Sequence, residues 1–289
     1  MLTLRTEGHN AIFSMKISII TVAYNSGATL RDTMQSVLSQ NYPDWEHVII
    51  DGNSTDNTLE IIRELEPEYQ GRLKWISEPD KGLYDAMNKG VALASGDVIG
   101  ILNSDDFYSS PEVLTSVART IREENVDAVF GDIHFVDDSD LGKCVRYYSS
   151  RFFSRWTMLM GYQPAHPSFY CRKECYERFG TFDTNFRVAA DFEHMFRLIY
   201  IHRIRTHYLP IDFVTMRTGG ASTNGIGSHR RIMVDHHKAF AKHRIRLGYG
   251  LDFMRYPLKV GEVIISRVLP FYSSAARKRL SNSYRTAES

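Results

Sequence analysis

At 289 residues, with 43% apolar and 24% charged, the chain has an ordinary globular make-up and is long enough for one large α/β domain or a domain with an appendage. A formal net charge of +1 excludes a globally cationic nucleic-acid binder. Three cysteines, Cys144, Cys171 and Cys175, exclude a disulfide framework and a four-ligand zinc site, and they point to a reducing compartment.

The opening "MLTLRTEGHNAIFSMK" lacks the continuous apolar core of a signal peptide, so residues 1–15 are read as an N-terminal extension with Met15 as a candidate initiator. From residue 16 strand and helix signals alternate. Short runs rich in β-branched residues, "KISIITVAY" (16–24), "EHVIID" (46–51), "RLKWISE" (72–78), "DVIGILN" (97–103) and "DAVFGDIHFV" (127–136), read as strands. Between them Leu30, Met34, Val37 and Leu38, and later Leu114, Val117, Ala118 and Ile121, recur at helical spacing. Alternation of this kind predicts a mostly parallel, doubly wound sheet with helices on both faces.

In such sheets ligands bind beyond the carboxyl ends of the strands. Here those ends are followed by "YNS", "DGNSTDNT", "EPDKG" and "NSDD", so four polar loops, three of them rich in carboxylates, are expected at one edge. Adjacent carboxylates such as Asp105 and Asp106 repel unless a cation, hydrogen-bond donors or water compensates them. A solvated turn accounts for one such loop, but not for four with similar chemistry.

The second half is less regular. An aromatic segment, "RYYSSRFFSRWTMLMGYQPAHPSFY", precedes a helix near "RKECYERFG" and another beginning near Asp191, whose buried face is Phe192, Met195, Phe196, Leu198 and Ile199. From Gly227 to Arg285 thirteen Lys and Arg stand against three acids, which gives a basic helical region, and His236, His237 and His243 within it read as part of a basic face.

Taken in order, "SIITVAYN", "VIIDGNSTDNT", "EPDKGLYDAMNKG", "GILNSDD" and "AADFEHMFRL" resemble the family 2 glycosyltransferases of GT-A nucleotide-sugar-binding fold, and most of all the bacterial branch that builds exopolysaccharide, capsule and O-antigen chains. The resemblance is strong over residues 16–220. It implies a catalytic domain over 16–223, with a nucleotide-binding half (16–137) and an acceptor-binding half (138–223), followed by the helical basic region 224–289.

Asp51, at the end of an apolar strand, can accept a ring N–H of uracil, thymine or guanine. The resemblance implies that role, with Thr21, Tyr24 and Asn25 beside it and Asp80, Lys81 and Asn88 as further donor contacts. An Asx turn at Asp51 and a helix cap at Asp56 are the structural alternatives. Carboxylate oxygens suit Mn2+ or Mg2+, and the resemblance makes Asp106 a metal ligand, Asp105 a ligand or ribose partner, and Asp191 the base that deprotonates the acceptor hydroxyl. Glu193 is the reserve base, and His166 is either a contact or a packed structural residue.

The expected partners are a nucleoside-diphosphate sugar, UDP first with GDP and dTDP open, and a glycan or lipid-linked acceptor, with no nucleic acid. The basic region raises a cytoplasmic enzyme docked peripherally on an anionic membrane surface, or packing on the catalytic domain or on a second subunit in a homodimer. Two rival readings are a nucleotidyltransferase and a non-catalytic nucleotide-sugar-binding scaffold. The first wants a glycine-rich basic loop after the first strand, whereas "TVAYNSGATL" offers one Gly and no Lys.

Overall fold

The computed structural model describes residues 15–218 and 226–245, with side chains from residue 231 onward in the second stretch. Nine strands form one sheet among the described residues. They are β1 (Ile17–Ala23), β2 (Trp45–Asp51), β3 (Leu73–Ser77), β4 (Val98–Ile101), β5 (Phe107–Tyr108), β6 (Ala128–Asp137), β7 (Asp140–Tyr148), β8 (Tyr170–Arg172) and β9 (Thr206–Arg217). The order across the sheet is β3-β2-β1-β4-β8-β6-β9-β5, with β7 paired to β6.

Residues 16–103 are built as the strand–helix alternation predicts. β1 pairs in parallel with β2 and β4, and β2 with β3. Every residue of β1 and β2 is buried, the signature of parallel strands covered on both faces. Beyond β4 the sheet is mixed. β8 lies antiparallel between β4 and β6, β7 antiparallel on β6 and β5 antiparallel on β9, while β6 and β9 are parallel. The mostly parallel expectation therefore holds for residues 16–103 and gives way after them, because β8 and β9 come from the irregular second half.

Successive β1 residues sort to two cores. Ile17 and Ile19 pack with α1 (Leu30–Leu38), α2 (Thr58–Leu65) and α4 (Val113–Glu123), through Leu30, Met34, Val37, Ile61, Ile62, Leu114, Val117 and Ile121. Ile20 and Val22 face α3 (Leu83–Leu93), α5 (Lys173–Phe179) and α6 (Ala190–Met195) on the other side. Each such aliphatic side chain stabilises the fold by about 1.5–3 kcal/mol on burial. Gly90 lets α3 approach closely: a Cβ there would lie 2.3 Å from Cγ2 of Ile20.

The helix expected near Asp191 forms as α6, then widens into a π-helical turn over Phe196–Ile201. The last described helix, α7 (Ile226–Lys242), packs on it: His236 stacks on Phe192 at 3.8 Å, and Ala239 and Phe240 are buried. Lys238 donates to the carbonyl of Asn185 at 2.7 Å and Lys242 pairs with Asp183 at 2.7 Å. The basic-face reading of His236 and His243 is corrected here, since His236 is buried and His243 bonds Glu193 at 2.8 Å. No described helix is long and apolar enough to cross a membrane. Residues 1–14 and 246–289, which carry most of the extension and of the basic tail, lie outside the described residues.

Candidate active site

The loops after β1 and β2 fold as one unit. Asp51 is fully buried, and its carboxylate accepts from Ser54 Oγ at 2.5 Å, Ser54 N at 3.0 Å and Ser77 Oγ at 2.6 Å. The "DGNS" turn thus closes back on Asp51, as the structural alternative expects. Asn25, held at a φ of 50°, donates its N–H to Ser54 Oγ at 2.8 Å and accepts from Thr55 N at 2.9 Å. Asp56 accepts from Thr58 N at 3.0 Å at the start of α2, and from Gly27 N at 2.9 Å. It caps the helix and also ties the two loops together, and the Thr58 hydroxyl leads in holding its pKa below the ordinary value.

Tyr24 stands 66% exposed at the rim of this unit. Asp80 reaches over from the loop after β3: a Cβ added to Gly52 would lie 2.6 Å from Oδ2 of Asp80 and 3.3 Å from the Tyr24 ring. The missing side chain of Gly52 lets Asp80 and Tyr24 approach the backbone next to Asp51. Lys81 donates its backbone N–H to Asp85 at 3.0 Å, and its own side chain is exposed.

Two residues expected to touch the donor are committed elsewhere. Thr21 is fully buried, and its hydroxyl lies 2.7 Å from the carbonyl of Leu102 and 2.8 Å from Nε2 of buried His47. Asn88 uses both ends of its amide on Phe182, donating to its carbonyl at 2.8 Å and accepting from its N–H at 2.9 Å. Thr21 ties β1 to β4 and β2, and Asn88 clamps α3 to the acceptor half. In the structure both side chains are engaged within the protein.

The "NSDD" loop follows β4 at the same edge. Ser104 and Ser26 hydroxyls meet at 2.8 Å, and Thr33 of α1 donates to the carbonyl of Asp106 at 2.7 Å. Asn103 donates to Oδ2 of Asp106 at 2.9 Å, whereas Oδ1 is buried without a protein partner. Burial, then the charge of Asp105, pushes Asp106 well above the ordinary carboxylate range, and burial raises half-buried Asp105 as well. A cation would supply the missing partner of Oδ1. Among the described residues no three His, Cys, Asp or Glu form a metal cluster. Two carboxylates fit a hard cation that takes its remaining ligands from phosphate oxygens and water.

Asp191 approaches from the acceptor half. Its Oδ1 lies 3.1 Å from the Tyr84 hydroxyl, whose single proton is shared with the Val188 carbonyl at 2.6 Å, and its Oδ2 accepts from Gln163 Nε2 at 3.3 Å. Tyr84 lies in the first turn of α3, three residues after Lys81, so this contact joins Asp191 to the donor loops. His166 is half-buried and packs edge-on against Phe182 at 5.6 Å; burial pulls its pKa below the ordinary value, with nearby Asp191 opposing. Glu193, the reserve base, is fully enclosed by Arg197 at 3.2 Å, Lys242 at 2.9 Å and His243 at 2.8 Å. It is a structural hub, which removes it from candidacy.

Three contributors were not singled out from sequence. Ser77 and Gln163 hold Asp51 and Asp191. Arg217, at the end of β9, pairs with Asp32 of α1 and with Asp138 at 3.3 Å, and it is the cation that lowers both Asp105 and Asp106 against their burial.

The mixed α/β sheet flanked by helices, with its polar loops gathered at one edge, is that of a GT-A glycosyltransferase fold. Two solved structures share it. One is S. aureus TarS 1–349 in complex with UDP-GlcNAc, at TM-score 0.60, 19% identity, 76% of this chain and 66% of that one. The other is the mannosyltransferase PcManGT from Pyrobaculum calidifontis with GDP-Man and Mn2+, at TM-score 0.59, 20% identity, 94% of this chain and 74% of that one.

Residues 18–184 match the model described as glycosyl transferase family 2, and the chain belongs to that family. It is 32% identical over 270 residues to the uncharacterized glycosyltransferase MT1564 of Mycobacterium tuberculosis (strain CDC 1551 / Oshkosh), covering 87% of this chain and 97% of that one. It is 29% identical over 259 residues to a PGL/p-HBAD biosynthesis glycosyltransferase of Mycobacterium bovis (strain BCG / Pasteur 1173P2), covering 87% and 95%.

Proposed function

We propose that this enzyme is an inverting, metal-dependent glycosyltransferase that moves a sugar from a nucleoside-diphosphate sugar to a hydroxyl of a glycan or lipid-linked acceptor in cell-surface polysaccharide biosynthesis. The observation that carries the reading is the Tyr84–Asp191 hydrogen bond, which ties a carboxylate of the acceptor half to the donor edge. Asp51 accepts the base N–H from beneath Gly52, Tyr24 covers the base ring, and Asp80 and Lys81 border the same space. Asp105 and Asp106 would hold Mn2+ or Mg2+, which when bound offsets the charge of the leaving diphosphate.

Asp191 takes the proton of the acceptor hydroxyl as that oxygen attacks the anomeric carbon from the face opposite the diphosphate. Gln163 donates to Oδ2 and the Tyr84 hydroxyl lies against Oδ1, so the carboxylate is positioned from both sides. A single displacement needs no covalent sugar–enzyme bond and inverts the anomeric centre. The nucleotide complexes of TarS and PcManGT, with UDP-GlcNAc and GDP-Man, support a nucleotide-sugar donor and leave its base open.

A panel of UDP-, GDP- and dTDP-sugars assayed for nucleoside diphosphate release, with EDTA and then with Mn2+ or Mg2+ restored, tests this. Release from one nucleotide class, abolished by EDTA and recovered with metal, is expected. No release from any donor would favour the binding-scaffold reading.

A further inference from the structure

The segment between β7 and β8 is two-sided. Phe153 turns inward, its ring 5.2 Å from Phe130, and Met158 is fully buried. Their neighbours turn outward: Phe152 is 78% and Trp156 56% exposed, among the largest exposed apolar side chains described. Each carries a cation. The guanidinium of Arg155 lies 4.7 Å from the Trp156 ring centre and that of Arg151 6.0 Å from Phe152. The sequence holds no acid from Leu141 to Lys173, and among the described residues no ion pair involves Arg151 or Arg155, whereas Lys143 pairs with Asp137 and Lys173 with Glu177. The patch borders the π-helical turn that continues α6 from Asp191, since Trp156 packs edge-on against Tyr200 at 5.7 Å.

We infer that Arg151, Phe152, Arg155 and Trp156 form a docking face for an anionic lipid surface. Aromatic rings with a polar edge settle at the boundary between headgroups and acyl chains, and interleaved arginines pair with anionic headgroups. The charge argues against the other occupants. A second copy meeting this face across a two-fold axis would bring like charges together. Residues 246–289 carry eight Lys and Arg against three acids, so that segment would add to the charge rather than neutralise it. The inference concerns where the enzyme sits and is independent of which sugar it transfers.

The test uses the full chain and vesicles of phosphatidylcholine with or without phosphatidylglycerol. Cosedimentation is expected with the anionic vesicles and lost at high salt, with emission from Trp156 shifting to the blue; Trp45 is buried, and Trp156→Phe should remove the shift. Arg151→Gln/Phe152→Ser/Arg155→Gln/Trp156→Ser, three exposed residues and half-buried Arg155, should reduce binding about tenfold or more while nucleotide-sugar turnover on a soluble acceptor is retained. Three results would overturn the proposal: wild-type protein that stays in the supernatant, binding with no change at Trp156, or a dimer that Phe152→Ser/Trp156→Ser converts to monomer.

Discussion

Asn103 donates to one oxygen of Asp106, Oδ2, at 2.9 Å, and leaves the other, Oδ1, buried with no partner in the protein. A buried acceptor left unpaired destabilises a fold by about 1–3 kcal/mol. Asp106 is therefore a liability to the metal-free protein that a cation would relieve. Asp106→Asn is expected to raise the Tm of the metal-free protein and to lose both its stabilisation by Mn2+ and its activity. Thermal melts with EDTA and with Mn2+ read this out, and a variant still stabilised by Mn2+ would place the cation elsewhere.

Thr21 and His47 give a contrasting case, in which burial serves structure. Burial pushes His47 down to about 3, so the ring stays neutral, between Thr21 Oγ1 at 2.8 Å and Tyr69 OH at 2.9 Å. Thr21→Val removes the partner of Nε2 and should lower stability by about 1–3 kcal/mol. Donor affinity of the folded protein should be unchanged. A large rise in donor Kd without loss of stability would return Thr21 to the binding site.

Glu193 should report on stability and not on chemistry. Burial raises its pKa, but bonds from His243, Arg197 and Lys242 outweigh that and bring it from 4.5 down to about 2. A depressed carboxylate pKa gives stability that is present above about pH 4.5 and lost as pH falls toward 2. Glu193→Ala leaves Arg197 and Lys242 without their buried partner and should destabilise the protein by about 3–5 kcal/mol. Urea melts of wild type and Glu193→Gln between pH 7 and pH 2 should draw together as the pH approaches 2, and turnover per folded molecule at neutral pH should survive in the variant.

The donor edge was legible in sequence because it is local. β1, β2 and β4 are short apolar runs that end abruptly in polar residues, so Asp51, Asp105 and Asp106 announce their position. The partners that aim those groups were not legible. Tyr84 meets Asp191 across 107 residues and Arg217 meets Asp32 across 185, and neither leaves a periodic trace. Thr21, expected beside the donor, lies on β1 three residues before Tyr24. In the fold it alternates inward to His47. Glu193 and Asp191 lie two apart on one helix, and the partners of Glu193, Arg197 four residues on and Lys242 and His243 at the end of α7 and just beyond it, distinguish the hub from the candidate base.

The central claim is that Asp191, held by Tyr84 and Gln163, is the base. Its most direct test is Asp191→Asn, measured both for donor binding by calorimetry and for single-turnover transfer to acceptor. The asparagine preserves shape and the bond from Tyr84, so donor Kd should stay within about twofold while the transfer rate falls by about 10²–10⁴. A variant that transfers sugar at the wild-type rate per folded molecule would contradict the account and leave Asp191 as the start of a helix.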